Sequence, residues 1–325
     1  MTDRQKNLSR LFVWGFEGTS LSPALRRALR RYPPAGVILF RRNIESPHQL
    51  RALTSALRKE VGARLLIGID QEGGRVSRFP EPFTPFPAAE TWGLISKLSG
   101  TGLLRGVGRL MGRELASVGI NLDFAPVLDV NSNPKNPVIG DRAFSDDPAE
   151  VIRTAIPFAQ GLRESGVIPC GKHFPGHGDT VSDSHLVLPR VNRPLASLKK
   201  VELPPFRAAV RAGIPMLMTA HVVYRALDRE NPATLSHAIV TRLLRKKWGY
   251  RGVVISDDLQ MKAIRFPLEE AVRLGIEAGI DLQLVCRGYE ELSARIPQWA
   301  EKSAPFRPQI EASLARVERL KNYTN

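Results

Sequence analysis

Half of the chain's six histidines fall in one nineteen-residue stretch, GKHFPGHGDTVSDSHLVLP (171–189). Within it Asp183 and His185 are two positions apart, with Ser184 between them. In an extended segment such residues lie on the same side, so the carboxylate can reach the imidazole. A carboxylate beside a histidine fixes its tautomer and raises its pKa from roughly 6.5, which suits proton transfer near neutral pH. The pair could therefore serve as a general acid/base. The same residues could instead form a turn, with Asp183 bonding its own backbone and His185 merely exposed. Gly176 and Gly178 give the preceding loop freedom to move, as a lid carrying a catalytic group requires. His173 and His177 stand four apart, the spacing of a zinc-binding helix, but Pro175, Gly176 and Gly178 oppose a helix there.

A second candidate is Asp257 in GVVISDDL (252–259), where four apolar residues deliver a carboxylate to the end of a strand. A carboxylate fixed in this way can be a nucleophile, a general base or a metal ligand. It could equally cap a helix starting near Leu259, as could Ser256 or Asp258. Arginines follow other apolar runs: Arg75 and Arg78 in IDQEGGRVSRF, and Arg142 on the Asn-, Pro- and Gly-rich NPVIGDRAF. Planar, always charged guanidinium suits the fixing of substrate hydroxyls, carbonyls or carboxylates.

The elements that must position these groups recur with one rhythm. Short apolar, β-rich runs occupy 11–18, 36–40, 64–74, 120–130, 167–174, 215–224, 252–258 and 281–286. The stretches between them carry helix signals. SPHQLRALTSALRKEV opens on a Ser46 cap and Pro47, DDPAEVIRTAIPFAQGLRESG starts in the same way and ends on Gly166, and two more finish on glycine. Near-continuous apolar strands alternating with helices predict a parallel sheet covered on both faces. Eight such units in about 300 residues are what a TIM-type (β/α)8 barrel requires. A doubly wound open sheet has no preference for eight, and no G-x-G-x-x-G follows the first strand. No linker divides the chain, so residues 1–325 are expected to form a single catalytic domain. Polar residues end the strands: Asp70-Gln71-Glu72, Asp129, Lys172-His173, His221 and Asp257-Asp258. In a barrel these ends converge on one mouth, where ligands bind.

Composition narrows the function classes. Lys and Arg number 47 against 32 Asp and Glu, a formal charge of +15. The basic residues are scattered along helix-like stretches such as PALRRALRRY, which favours a solvated basic surface over a nucleic-acid site. A field of this sign could also favour an acidic small substrate. The two cysteines, Cys170 and Cys286, are far apart and read as buried free thiols. No apolar run approaches the roughly 20 residues of a membrane helix. The N-terminal apolar run meets Glu17 and lacks a signal-peptide core, which gives the expectation of a cytoplasmic protein. Neither a membrane nor a nucleic-acid partner is expected.

With these residues in view, the chain resembles glycoside hydrolase family 3, in its β-N-acetylhexosaminidase branch. The resemblance rests on GVILFRRNI, GIDQEGGRVSRF, NLDFAPVLDVNSNPKNPVIGDRAF, GKHFPGHGDTVSDSH and GVVISDDL. The K-H-F-P-G-H-G-x(4)-D-S-H string is the most specific of them. It implies a single (β/α)8 barrel and assigns roles position by position. Asp257 matches the nucleophile, His185 the general acid/base, and Asp183 the aspartate paired with it. Asp70, Arg78, Arg142, Lys172 and His173 match positions that hold the N-acetylglucosamine unit. The implied reaction is retaining hydrolysis of terminal β-linked N-acetylglucosamine through a covalent glycosyl-enzyme, with no metal and no cofactor. The implied partner is a small carbohydrate, with the enzyme a monomer. The one-domain form resembles enzymes that trim muropeptides in peptidoglycan recycling. Chitooligosaccharides, or looser glucoside specificity, are the alternatives within the family. A metal-dependent barrel hydrolase and a non-catalytic sugar-binding barrel are the alternatives outside it.

Overall fold

The computed structural model describes residues 1–322 apart from Thr101, Asp183 and His185. Eight parallel strands form the centre of the molecule: β1 (Phe12–Gly15), β2 (Gly36–Leu39), β3 (Leu66–Ile69), β4 (Leu122–Asp123), β5 (Ile168–Phe174), β6 (Met216–Thr219), β7 (Val253–Ser256) and β8 (Gln283–Val285). Each pairs with the next, and β8 pairs with β1. The ring closes between Ile255 of β7 and Leu282 just before β8. Each of the eight apolar runs contains one strand of the ring, so the (β/α)8 expectation holds.

Alternation along the strands explains why the barrel is solid. Side chains of neighbouring residues point to opposite faces. Val13, Ile38, Leu66, Leu122, Ile168, Met216, Val253 and Leu284 belong to one buried cluster inside the ring. Trp14, Val37, Ile67, Leu217, Val254 and Val285 belong to a second, between strands and surrounding helices. Burying each such side chain contributes roughly 1.5–3 kcal/mol before entropy is charged against it. The last helix, Arg307–Lys321, sends Val317 and Leu320 into the inner cluster.

The helix signals act as their chemistry demands. Ser46 Oγ accepts the Gln49 N–H at 3.1 Å and Pro47 opens the helix Pro47–Val61. Asp147 accepts the Ala149 N–H at 2.9 Å ahead of Pro148–Glu164.

Three expectations change. The strand expected to run to Asp129 has only two residues, because Pro126 has no N–H to continue the ladder. Pairing resumes beyond it, where Val127 bridges to Lys172. No helix starts near Leu259: residues 258–264 make turns, and the next helix is Leu268–Ala278. A small parallel pair, Arg190–Val191 with Val223–Tyr224, lies outside the ring; Val223–Tyr224 is the end of the 215–224 run, split off from the ring strand. Of the cysteines, neither bonded to the other, Cys170 is buried and Cys286 only half-buried.

Candidate active site

The strand ends meet in a cavity of about 390 Å³ whose walls include Asp70, Glu72, Lys172, His173 and Asp257. Asp70 and Glu72 leave β3 two residues apart and turn to the same side. Lys172 on β5 reaches both, with Nζ 2.7 Å from Asp70 Oδ1 and 2.6 Å from Glu72 Oε1. Arg142 completes the group through a two-pronged bond to Glu72, Nε to Oε2 and Nη2 to Oε1, each 2.8 Å. Arg78 Nη2 lies 3.3 Å from Asp70 Oδ2. Burial pushes the Glu72 carboxyl up, but Arg142 and Lys172 outweigh it and hold Glu72 well below the usual carboxylate range. The balance for Asp70 has the same sign: burial opposes ionisation, and Lys172 and Arg78 prevail. Lys172 is held above the ordinary lysine range, since Asp70 and Glu72 overcome the effect of burial. The outcome is a desolvated, fully charged lattice of donors and acceptors, suited to a sugar's hydroxyls.

Asp257 stands immediately after β7. Its Oδ1 accepts the Asp258 N–H at 2.8 Å, and no salt bridge to it is found among the described residues. Burial again raises its pKa, yet His221, His173, the Asp258 N–H and Lys172 together lower it. Asp257 is therefore an ionised carboxylate with lone pairs left over. The adjacent Asp258 serves a different purpose. Its Oδ1 accepts the N–H groups of Gln260 at 3.1 Å and Cys286 at 3.2 Å, tying the turn after β7 to β8, and burial pushes its pKa up. His221 is buried beneath: Nε2 donates to the Asp258 carbonyl at 3.0 Å and Nδ1 meets Thr234 Oγ1 at 2.8 Å. Burial depresses its pKa, against the opposing pull of the Asp257 charge.

Asp129, beyond the Pro126 interruption, anchors the histidine loop. Its carboxylate accepts the His173 N–H at 3.1 Å, the His177 N–H at 2.7 Å and the His173 ring nitrogen Nδ1 at 2.6 Å. His173 Nε2 is thereby turned to Arg142 Nη2, at 3.5 Å. Glycine at 178 is required by close approach: a Cβ there would lie 1.5 Å from the Val130 carbonyl oxygen. His177 is deeply buried, and its two ring nitrogens contact Thr180 Oγ1 and Ser184 Oγ rather than a metal-binding partner. Among the described residues no group of three His, Cys, Asp or Glu is arranged to hold a metal ion.

Asp70, Arg78, Arg142, Lys172, His173 and Asp257 thus line one cavity. Asp183 and His185 lie outside the described residues; Ser184 between them lines the same cavity. Arg75 also lines the cavity, but its guanidinium is committed to protein partners, Nε to Asp141 and Nη2 to the carbonyls of Val138 and Ile139. Two of the strand-end residues to which the sequence assigns no role acquire one here. Glu72 is the acceptor for Arg142 and Lys172, and its spacing of two from Asp70 was the available signal. Asp129 is the clamp of the loop, and nothing near it in sequence names its partners.

The comparisons agree with this geometry. The family model described as "Glycosyl hydrolase family 3 N terminal domain" matches residues 8–320. The chain is 44% identical over 287 residues to a β-hexosaminidase of Alkalilimnicola ehrlichii, covering 87% of this chain and 82% of that one. It superposes with TM-score 0.94 and 37% identity on a family 3 β-N-acetylglucosaminidase of Paenibacillus, covering all of this chain but only 63% of that longer one. A NagZ of Neisseria gonorrhoeae, solved in complex with N-trifluoroacetyl-D-glucosamine, matches with TM-score 0.82 and 34% identity over 98% of this chain and 99% of that one. The chain belongs to glycosyl hydrolase family 3 and is a glycoside hydrolase of the β-N-acetylhexosaminidase type.

Proposed function

We propose that the enzyme is a retaining exo-β-N-acetylglucosaminidase in which Asp257 is the nucleophile, His185 the general acid/base, and Asp183 the aspartate that orients His185. In this reading Asp70, Arg78, Arg142, Lys172 and His173 grip the hydroxyls of the terminal sugar. Asp257 attacks the anomeric carbon while His185 gives its proton to the departing oxygen, so the glycosidic bond breaks as the C–O bond to Asp257 forms. His185, now neutral, takes a proton from water, which displaces Asp257 and releases the sugar. Two inversions give net retention. The observation that carries the reading is the ionised Asp257, with no cation bonded to it among the described residues, in the same cavity as an ion lattice suited to hydroxyls.

The natural substrate in this reading is a muropeptide of cytoplasmic peptidoglycan recycling, supported by the family resemblance and by an N-acylglucosamine bound in the Neisseria relative. A fluorinated N-acetylglucosaminide should form a stable glycosyl-enzyme, and peptide mapping should find it on Asp257. A label on Asp258, or none from an active enzyme, overturns the nucleophile assignment. Kinetic comparison of anhydro-muropeptide with chitobiose tests the substrate class: a higher kcat/KM for chitobiose overturns it.

A further inference from the structure

The segment between Gly178 and Pro189 is weakly held by apolar contacts. Val181, Leu186 and Val187 are exposed by 73%, 62% and 47%. Among the described residues of 179–187, only Thr180 and Ser184 are buried. Both bond to the same side chain. Thr180 Oγ1 lies 2.9 Å from His177 Nδ1, and Ser184 Oγ lies 3.0 Å from His177 Nε2. His177 is itself immobilised, its N–H on Asp129 at 2.7 Å and its carbonyl accepting Asn136 Nδ2 at 2.8 Å. The Asn136 amide also reaches the Gly178 carbonyl at 3.0 Å and Thr180 Oγ1 at 3.1 Å. One imidazole therefore uses both nitrogens to fasten the loop, beside the Arg193–Asp179 ion pair at 2.6 Å and the Asn133 amide, which donates to the Thr180 carbonyl at 3.4 Å.

Neither bond needs a charge. With Nδ1 protonated, the ring donates to Thr180 Oγ1, whose hydroxyl donates to the His177 carbonyl at 3.1 Å, and Nε2 accepts from Ser184. The opposite tautomer reverses both bonds, with Nε2 donating to Ser184 and Nδ1 accepting from Thr180, and still satisfies both nitrogens. Burial, with His173 nearby, lowers the His177 pKa to about 4, in keeping with a neutral ring. At that value it is a poor proton carrier at pH 7, so its contribution must be geometric.

We propose that His177 and Ser184 are positioning residues for acid catalysis: their hydrogen bond pins the backbone between Asp183 and His185. The proposal rests on His185 being the acid/base. A 1 Å error in placing such a group can cost 100-fold in rate. The loss should appear where the leaving group needs a proton.

The test compares aryl N-acetylglucosaminides of graded leaving-group acidity, plus a disaccharide, across wild type, Ser184→Ala, Ser184→Thr, His177→Phe and His185→Ala. Ser184→Ala should lose about 10- to 100-fold in kcat/KM on the disaccharide but less than about threefold on a dinitrophenyl glycoside. Ser184→Thr, which keeps the hydroxyl, should restore most of the loss. His177→Phe should show the Ser184→Ala pattern, more strongly; if it does not fold, the Ser184 pair decides. Equal losses on good and poor leaving groups, no loss, or no rescue by threonine overturns the proposal. His185→Ala separates the two readings. If it too shows no leaving-group dependence, the acid/base assignment fails; if it alone shows one, only the positioning role fails.

Discussion

Two parts of the mouth hold carboxylates in opposite ways. On the β3–β5 side, Asp70 and Glu72 are each bonded to cations, and the cations are bonded back. On the β7 side, Asp257 keeps its charge with one backbone N–H and the more distant fields of His221, His173 and Lys172. Burial opposes ionisation in both places. The difference is what remains for a substrate. The β3–β5 groups are fixed in place by one another and offer outward-facing hydrogen bonds at set positions. Among the described residues only the Asp258 N–H bonds to Asp257, which leaves it the lone pairs that an attacking oxygen needs.

The comparison breaks most sharply at Asp257. Asp257→Ala should lower kcat/KM by several orders of magnitude with little change in Tm, since no ion pair is lost. A modest rate loss accompanied by a large fall in Tm would make Asp257 a structural carboxylate like the other two. Glu72→Gln should do the reverse. It leaves Arg142 and Lys172 short of a counter-charge in a desolvated place, where breaking a buried pair costs about 3–5 kcal/mol. Tm should fall by several degrees, and kcat/KM by about 10- to 100-fold, mainly through KM. Thermal melts and steady-state kinetics on the two variants read both quantities.

How much of this could be read beforehand follows the same division. The barrel was legible because each strand is a short apolar run, and the run also states where the strand ends. Asp70, Lys172, His173 and Asp257 announced themselves there. Asp129 did not announce its partners, because its bonds are to His173 at the end of β5 and His177 in the loop after it, more than 40 residues away. The Arg142–Glu72 pair spans 70 residues, and no local spacing encodes it. His177 was read first for a metal-ligand spacing. Only the packing shows both its nitrogens committed to the loop. Local chemistry reveals which groups a strand end presents, whereas mutual neutralisation across the mouth is a property of the closed ring.

Acid sharpens the contrast in another way. Asp70 and Glu72 have depressed pKa values, so the β3–β5 lattice should stay charged well below pH 6. The buried histidines behave differently. His177 titrates at about 4 in the folded chain, against 6.5 unfolded, so below 6.5 the unfolded chain binds the proton that the folded chain refuses. Stability is then complete above pH 6.5 and declines down to about 4, by roughly 3 kcal/mol for this residue. His221, shifted in the same direction, adds to the decline. Denaturant melts at stepped pH should show that loss. His177→Phe, compared at the same pH values, should flatten part of the slope; an unchanged slope would remove His177 as a source.

The smallest effect is expected at Asp123, the last residue of β4, buried beneath the lattice. Oδ1 accepts the Gln71 N–H at 3.0 Å, and among the described residues Oδ2 has no hydrogen-bond partner. Burial pushes its pKa well above the usual range; the Gln71 N–H and Lys172 pull the other way, and the neighbouring Asp70 and Glu72 add to the rise. Lys172 is already bonded to Asp70 and Glu72, and among the described residues no salt bridge reaches Asp123, so burial favours its protonated form. A raised pKa works against stability as pH climbs past the unfolded value, because folding must then take up a proton. Asp123→Asn has nearly the same shape, keeps an oxygen for the Gln71 N–H and needs no proton. Its stability should match or slightly exceed wild type at pH 7, within about 1 kcal/mol, and its kcat/KM should change by less than about threefold. Relative to wild type the variant should gain as pH rises. A large loss of stability at pH 7, absent at pH 4, would instead make Asp123 an ionised member of the lattice, and the charge balance assigned to Lys172 would have to be redrawn.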